Sequence, residues 1–99
     1  MDSISKEEDI IKTGYCVIKF WASWCGPCKR MEPTVEKLAL EFPEIKFLSL
    51  NVDECSDISK VYDVRTIPTL LILKDGIEVN RVKGLSLIHP LRKLFRELI

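Results

Sequence analysis

The run CVIKFW, Cys16 to Trp21, is β-branched and aromatic and reads as a strand. Within one short turn, Ala22 to Gly26, it gives way to a different period. From about Pro27 to Phe42 the apolar residues Met31, Val35, Leu38 and Phe42 recur at i, i+4, i+7 and i+11, one face of a helix. A second β-run, KFLSLNV, Lys46 to Val52, follows. Two strands joined by a helix are expected to be parallel with a right-handed crossover, so this segment alone commits the chain to an α/β architecture. Pro33 lies inside the helical stretch. It removes one backbone hydrogen bond and predicts a kink rather than an end, because the periodicity resumes beyond it.

The remaining elements follow from the same rules. Thr69 to Leu73 (TLLIL) and Ile77 to Val82 flank Lys74-Asp75-Gly76, which reads as a hairpin. Ser56 or Asp57 is suited to cap a short helix through Tyr62. Leu91, Leu94, Phe95 and Leu98 form the apolar face of a closing helix, with Pro90 in its first turn. At the other end Ser5-Lys6-Glu7-Glu8 matches a capping box. A short helix is therefore expected from near Lys6, with Ile10 and Ile11 on its apolar face and Gly14 ending it. The order α-β-α-β-α-β-β-α predicts a mixed four-stranded sheet with helices on both faces. With 99 residues and no repeat or linker, it predicts one domain over residues 1–99.

Composition excludes several roles. Fifteen Lys plus Arg balance fifteen Asp plus Glu, so there is no basic field for nucleic acid or an anionic membrane. No apolar run approaches the roughly 20 residues that span a bilayer, and the first residues are acidic with no secretory apolar core. The expectation is a soluble, cytoplasmic protein that binds neither nucleic acid nor membrane.

Four cysteines, Cys16, Cys25, Cys28 and Cys55, are too few for a disulfide scaffold. Cys25 and Cys28 are spaced C-x-x-C, so they are either half of a metal site or a redox pair. Zinc needs four N or S ligands, and only Cys16, Cys55 and the single His89 remain; no metal is expected. The position of the pair favours redox chemistry. Cys25 falls where a strand meets the N-terminus of a long helix, where unpaired N–H groups and the helix dipole favour a thiolate. Cys25 is thus expected to be the nucleophile. Cys28, one turn on and less accessible, is placed to attack a mixed disulfide formed at Cys25 and release the reduced partner. Gly26 and Pro27 keep the intervening turn compact.

The segment FWASWCGPCKRMEP, Phe20 to Pro33, resembles the active-site segment of the thioredoxin family, the standard example of such a redox pair. RTIPTLLILKDG, Arg65 to Gly76, resembles the family's second signature, and VKGLS, Val82 to Ser86, the glycine loop that follows. NVDECSDISKVYDV is closer to eukaryotic-type members. The resemblance covers nearly the whole chain from Cys16. It implies the thioredoxin fold and a protein-disulfide reductase with a reversible Cys25–Cys28 dithiol and no cofactor. The partners it implies are disulfide-containing proteins and an NADPH-dependent thioredoxin reductase, with the protein acting as a monomer. Pro68 would follow a cis peptide bond and present the Ile67 backbone to an extended substrate. Trp24, Gly26, Pro27, Ile67, Pro68 and Gly84 would surround the disulfide as a docking surface. Two other functions stay open: a more oxidising disulfide oxidase or isomerase, and a partner-binding module in which redox chemistry is incidental.

Two departures from the family stand out. Where its members carry a buried Asp six residues before the nucleophile, this chain has Lys19. If buried, Lys19 is pushed toward its neutral form. A charged amine about 6 Å from a thiolate, at an effective dielectric of about 20, interacts by about 2.8 kcal/mol. Lys19 is then expected to favour the thiolates, stabilise the reduced form and weaken the protein as a reductant. If its stem instead snorkels to water, the effect nearly vanishes. The second departure is the short stretch before Ser5, which predicts that the family's first edge strand is absent or a stub, leaving Lys46–Val52 at the sheet edge.

The other polar candidates read as structural. Cys16 is expected to be a small buried hydrophobe, Cys55 an unreactive or regulatory thiol, and His89 a helix-terminus residue. The Asp53–Glu54–Asp57 cluster lacks calcium-loop spacing and reads as a solvated acidic loop.

Overall fold

The computed structural model describes residues 2–99, the side chains of Asp2 and Glu7 apart. The chain forms β1 (Asp2–Ser3), a 3-10 turn (Glu7–Asp9), β2 (Tyr15–Trp21), α1 (Gly26–Glu41), β3 (Ile45–Asn51), α2 (Ser56–Val61), β4 (Thr69–Lys74), β5 (Ile77–Lys83) and α3 (Ile88–Leu98). The sheet order is β1-β3-β2-β4-β5. β2 and β3 pair in parallel from Tyr15–Ile45 to Trp21–Asn51, while β4 runs antiparallel to both β2 and β5. This is the mixed sheet that the β-α-β segment and the hairpin dictate.

Side-chain alternation divides the core between the two faces. Val17, Leu70 and Ile72 meet Met31, Val35 and Leu38 of α1 and Leu91 and Phe95 of α3. Cys16, Ile18, Phe20, Leu71 and Leu73 face the other way, against Ile58 of α2 and the N-terminal Ile4 and Ile10. Phe95 fills the centre of the first layer, its ring edge-on to Phe42 (centroids 5.6 Å apart) and Phe47 (5.9 Å). α1 runs through Pro33 without a break and ends with the Phe42 N–H donating to the Leu38 carbonyl (2.9 Å). The hairpin turns on Asp75 and Gly76, with φ of 51° and 83°. Both positive values suit a two-residue turn that matches the strand twist.

The N-terminal expectations need correction. The helix expected from Lys6 is only the 3-10 turn, so three α-helices flank the sheet rather than four. The capping-box partner is not Glu8: the Asp9 carboxylate accepts from the Ser5 N–H (3.2 Å) and the Lys6 N–H (3.1 Å), closing a turn too tight to propagate. Gly14 ends no helix. With φ of 70°, it leads into β2, its N–H donating to Asp75 Oδ1 (2.7 Å). The edge strand is a stub rather than absent. Asp2 and Ser3 pair with Leu48 and Ser49, so the four full strands gain a two-residue cover and β3 is not wholly bare. The N-cap of α2 is Cys55 without a side-chain cap, rather than Ser56 or Asp57.

Cys16 lies fully buried among aliphatic neighbours, and burial pushes its thiol from an ordinary 9.0 up to about 11. The sign of the consequence is fixed. Above pH 9 the unfolded chain gives up this proton while the folded chain keeps it, so stability falls as pH rises from about 9 to 11. The urea midpoint of the wild type is expected to drop more across that window than that of Cys16→Ala. Parallel curves would contradict this.

Candidate active site

The N-terminus of α1 abuts the C-terminal end of β2, and the two cysteines meet there. Cys25 is the N-cap: its backbone is extended (φ −89°, ψ 104°), and its sulfur accepts from the Cys28 N–H at 3.2 Å. The cap is thus a sulfur atom that receives one of the helix's unpaired donors, a placement that favours a thiolate when the bond opens. Cys25 and Cys28 are disulfide-bonded, with Cα atoms 5.3 Å apart. Cys25 keeps 4% of its surface exposed and Cys28 1%, the order expected of an attacking and a resolving thiol. Pro27 falls in the first turn of α1, where its missing N–H costs no helical bond.

Residues far apart in sequence close around this pair. Ile67 and Val52 pack against the cluster of Ala22, Cys25 and Cys28. The Ile67–Pro68 peptide is cis, as the resemblance implies. The loop beside it is held by the Gly84 N–H donating to the Pro68 carbonyl (2.7 Å), with Gly84 at φ 84°, and by Thr69 Oγ1 donating to the Thr66 carbonyl (2.7 Å). Gly26 and Pro27 open α1 between the two cysteines, Ile67 packs on the pair, and Gly84 is tied to the carbonyl of Pro68, the residue that follows Ile67.

Trp24 is 69% exposed, which disposes of a partly buried structural role. Its Nε1 donates to Asp53 Oδ2 at 2.8 Å, and the Asp53 N–H in turn donates to Asn51 Oδ1 at 2.9 Å. The acidic loop after β3 is therefore more than a solvated cluster. Asp53 orients the aromatic beside the redox pair, and nothing in its spacing from Trp24 could have revealed that. If Trp24 helps to hold the substrate, Trp24→Ala is expected to lower kcat/KM for protein disulfides about tenfold, since exposed aromatic anchors carry more than about 1 kcal/mol each. Asp53→Asn should cost only about threefold, because it loosens the indole without removing it. Equal rates for Trp24→Ala and wild type would exclude this role.

Lys19 does not snorkel. It is 2% exposed, and its Nζ donates to the Cys28 carbonyl at 3.0 Å. Burial pushes its amine below the usual lysine range, opposed by the charges of Glu32 and Glu36 on α1. The solvated-stem alternative is thereby replaced by a buried amine against the redox pair.

The other candidates lie elsewhere. Cys55 is buried, its sulfur directed at the Ile4 carbonyl (3.6 Å), and burial raises its pKa. Cys16 and Cys55 are both free thiols. His89 sits in the first turn of α3, its Nδ1 3.2 Å from Arg92. Among the described residues no group of three or more His, Cys, Asp or Glu is arranged to hold a metal, and no helix is long and apolar enough to cross a membrane.

Comparison with known proteins agrees with this geometry. The Thioredoxin family model matches residues 3–97. A thioredoxin of Chlamydia pneumoniae is 44% identical over 79 residues, covering 80% of this chain and 78% of that protein. The oxidized mitochondrial thioredoxin 3 of Saccharomyces cerevisiae superposes with a TM-score of 0.90 at 32% identity, over 98% of this chain and 94% of that one. The thioredoxin of Fasciola hepatica does so at 0.89 and 35%, over 98% of each chain.

Proposed function

The chain belongs to the thioredoxin family and is a thioredoxin-type protein-disulfide oxidoreductase; on that premise we propose how its residues divide the work. Cys25 attacks the substrate disulfide and Cys28 resolves the mixed disulfide. Trp24, Gly26, Pro27, Ile67, Pro68 and Gly84 form the surface on which an extended substrate segment docks. The observation that carries this reading is a disulfide at a helix N-cap, bordered by an exposed indole and a cis Ile67–Pro68 loop.

The exchange proceeds in two substitutions at sulfur. The Cys25 thiolate attacks one sulfur of the substrate disulfide, and the other sulfur leaves as a thiolate that water protonates. The Cys28 thiolate then attacks Cys25 Sγ, and the second substrate sulfur leaves with its electron pair. The protein ends oxidised, and two electrons have passed to the substrate. Recovery of the dithiol falls to an NADPH-dependent thioredoxin reductase. In this reading residues 1–99 act as a single monomeric domain in the cytoplasm, as an electron carrier to protein disulfides.

Insulin reduction coupled to NADPH and a thioredoxin reductase tests it. Turnover is expected. Its absence with every reductase tried would remove the role of general reductant. A partner function that survived Cys25→Ser would point to a binding module instead.

A further inference from the structure

The last strand of the sheet carries charges that take no part in the exchange. β5 has an extra residue at Val79: Glu78 pairs with Leu73 and Asn80 with Ile72, so the register shifts by one between them. In a regular strand residues three apart point to opposite faces, but the extra residue puts Glu78 on the same face as Arg81 and Lys83. That face looks toward α2, as do Leu71 and Leu73 opposite. Arg81 grips Glu78 through two hydrogen bonds, Nε to Oε2 and Nη2 to Oε1, both 2.7 Å. The pairing holds the Glu78 carboxyl below its usual range and the guanidinium above its own. The same guanidinium donates to the carbonyls of Tyr62 (2.7 Å) and Asp63 (3.2 Å), and so fixes the loop that leads to Ile67 and Pro68.

A cavity of about 360 Å³ lies beside this clamp, with Asp63, Arg65, Thr66, Thr69, Arg81 and Lys83 in its lining. Its charges do not cancel. Arg81 is neutralised by Glu78. Arg65 pairs with Asp63 at 2.8 Å, but their side chains are 83% and 71% exposed, and such a pair is weak and readily exchanged. Lys83 is exposed, and its ammonium forms no hydrogen bond or salt bridge among the described residues, acting on Glu78 only at longer range. Its charge is therefore free for a ligand. The chain as a whole carries no net charge, so a preference for anions here would be local. The cavity also lies along the docking surface. Thr66 precedes Ile67, and Lys83 precedes Gly84, whose N–H is bound to the Pro68 carbonyl. Successive residues of an extended segment are about 3.3 Å apart, so side chains within three residues of the reacting cysteine pass this rim.

We propose that this cavity receives an acidic side chain of the substrate, within three residues of the cysteine under attack, and that Lys83 and Arg65 thereby make the exchange selective for disulfides flanked by aspartate or glutamate. This rests on the exchange reading and its docking surface. The substrate carboxylate takes the ammonium of Lys83 as its charge partner. The guanidinium of Arg65 leaves the exposed Asp63 to join it, its planar fork matching the two carboxylate oxygens. Arg81 adds no free charge. It is a positioning residue that holds the Tyr62 and Asp63 carbonyls and keeps the lining in place. A basic side chain at the same substrate position meets like charges, so selectivity comes from repulsion as well as attraction.

The test uses a short peptide with one cysteine, oxidised to its symmetric disulfide dimer. A single glutamate, glutamine or lysine is moved through the first three positions on either side of the cysteine. The second-order rate constant for reduction by the pre-reduced protein is measured in a single turnover, so no reductase enters. At the best position the wild type is expected to reduce the glutamate peptide about tenfold faster than the lysine peptide, with glutamine between them. Lys83→Glu is expected to bring that ratio to one or below. Lys93→Glu changes the net charge equally but lies on α3, which packs on the other face of the sheet, and it should keep the wild-type ratio. A wild-type ratio within twofold of one at every position, a ratio that Lys83→Glu leaves in place, or an equal shift in Lys93→Glu would overturn the proposal. In each of those results the peptides are still reduced, so the exchange reading stands. No reduction of any peptide would remove both.

Discussion

Cys25→Ser is expected to lower insulin-reduction turnover by on the order of 10³-fold or more, because serine at the N-cap is a poor nucleophile toward sulfur. Cys28→Ser should fail differently. Attack by Cys25 survives, but nothing resolves the product, so the mixed disulfide with substrate accumulates to near one equivalent and is visible by intact mass. The pair of phenotypes assigns the roles. Trapping by Cys25→Ser and silence from Cys28→Ser would reverse them. The asymmetry has a local cause. Cys25 is outside the first helical turn and receives the Cys28 N–H, while Cys28 lies within the turn and is nearly sealed from solvent.

Phe95→Ala should be the most damaging change away from the site. The ring is fully buried between Phe42 at the end of α1 and Phe47 on β3, and so joins both helices of one face to the sheet. Removing such a side chain costs about 3–5 kcal/mol, from lost burial and from the cavity left behind. Domains of this size have total stabilities of about 5–15 kcal/mol, so the variant should be only marginally stable. With a urea slope of about 1 kcal/mol/M, the midpoint should fall by about 3–5 M with the slope unchanged. A loss below about 1 kcal/mol would mean that α3 does not lock this layer as the packing indicates.

Much of this was legible in the residues. The β-branched and aromatic content of CVIKFW, the run KFLSLNV and the helical stripe of Met31, Val35 and Leu38 define β2, β3 and α1 to within a residue or two, because each signal is spread over a whole element rather than a few residues. The motif at Cys25 needed only its position at a strand–helix junction. Signals resting on a few residues fared worse. Ser5-Lys6-Glu7-Glu8 has the spacing of a cap, yet Asp9 closes a single tight turn there instead. Four residues of local preference do not outweigh the packing of Ile4 and Ile10 into the sheet, and short helices have little cooperative stability of their own.

The sequence by itself determined the order of elements from β2 onward, the parallel β-α-β crossover, the hairpin at Asp75-Gly76 and the cysteine pair at the head of a helix. These depend on period, turn chemistry and spacing, all local properties of the chain. Only the tertiary structure decided what surrounds the pair. Asp53 reaches Trp24 across the loop after β3, Ile67 and cis-Pro68 close on the disulfide from the other side, and Lys19 stays buried with its amine on the Cys28 carbonyl. Those contacts join residues distant in the chain. Whether a lysine stem reaches water or is enclosed depends on the helix that covers it, which for Lys19 is the helix that carries Cys28.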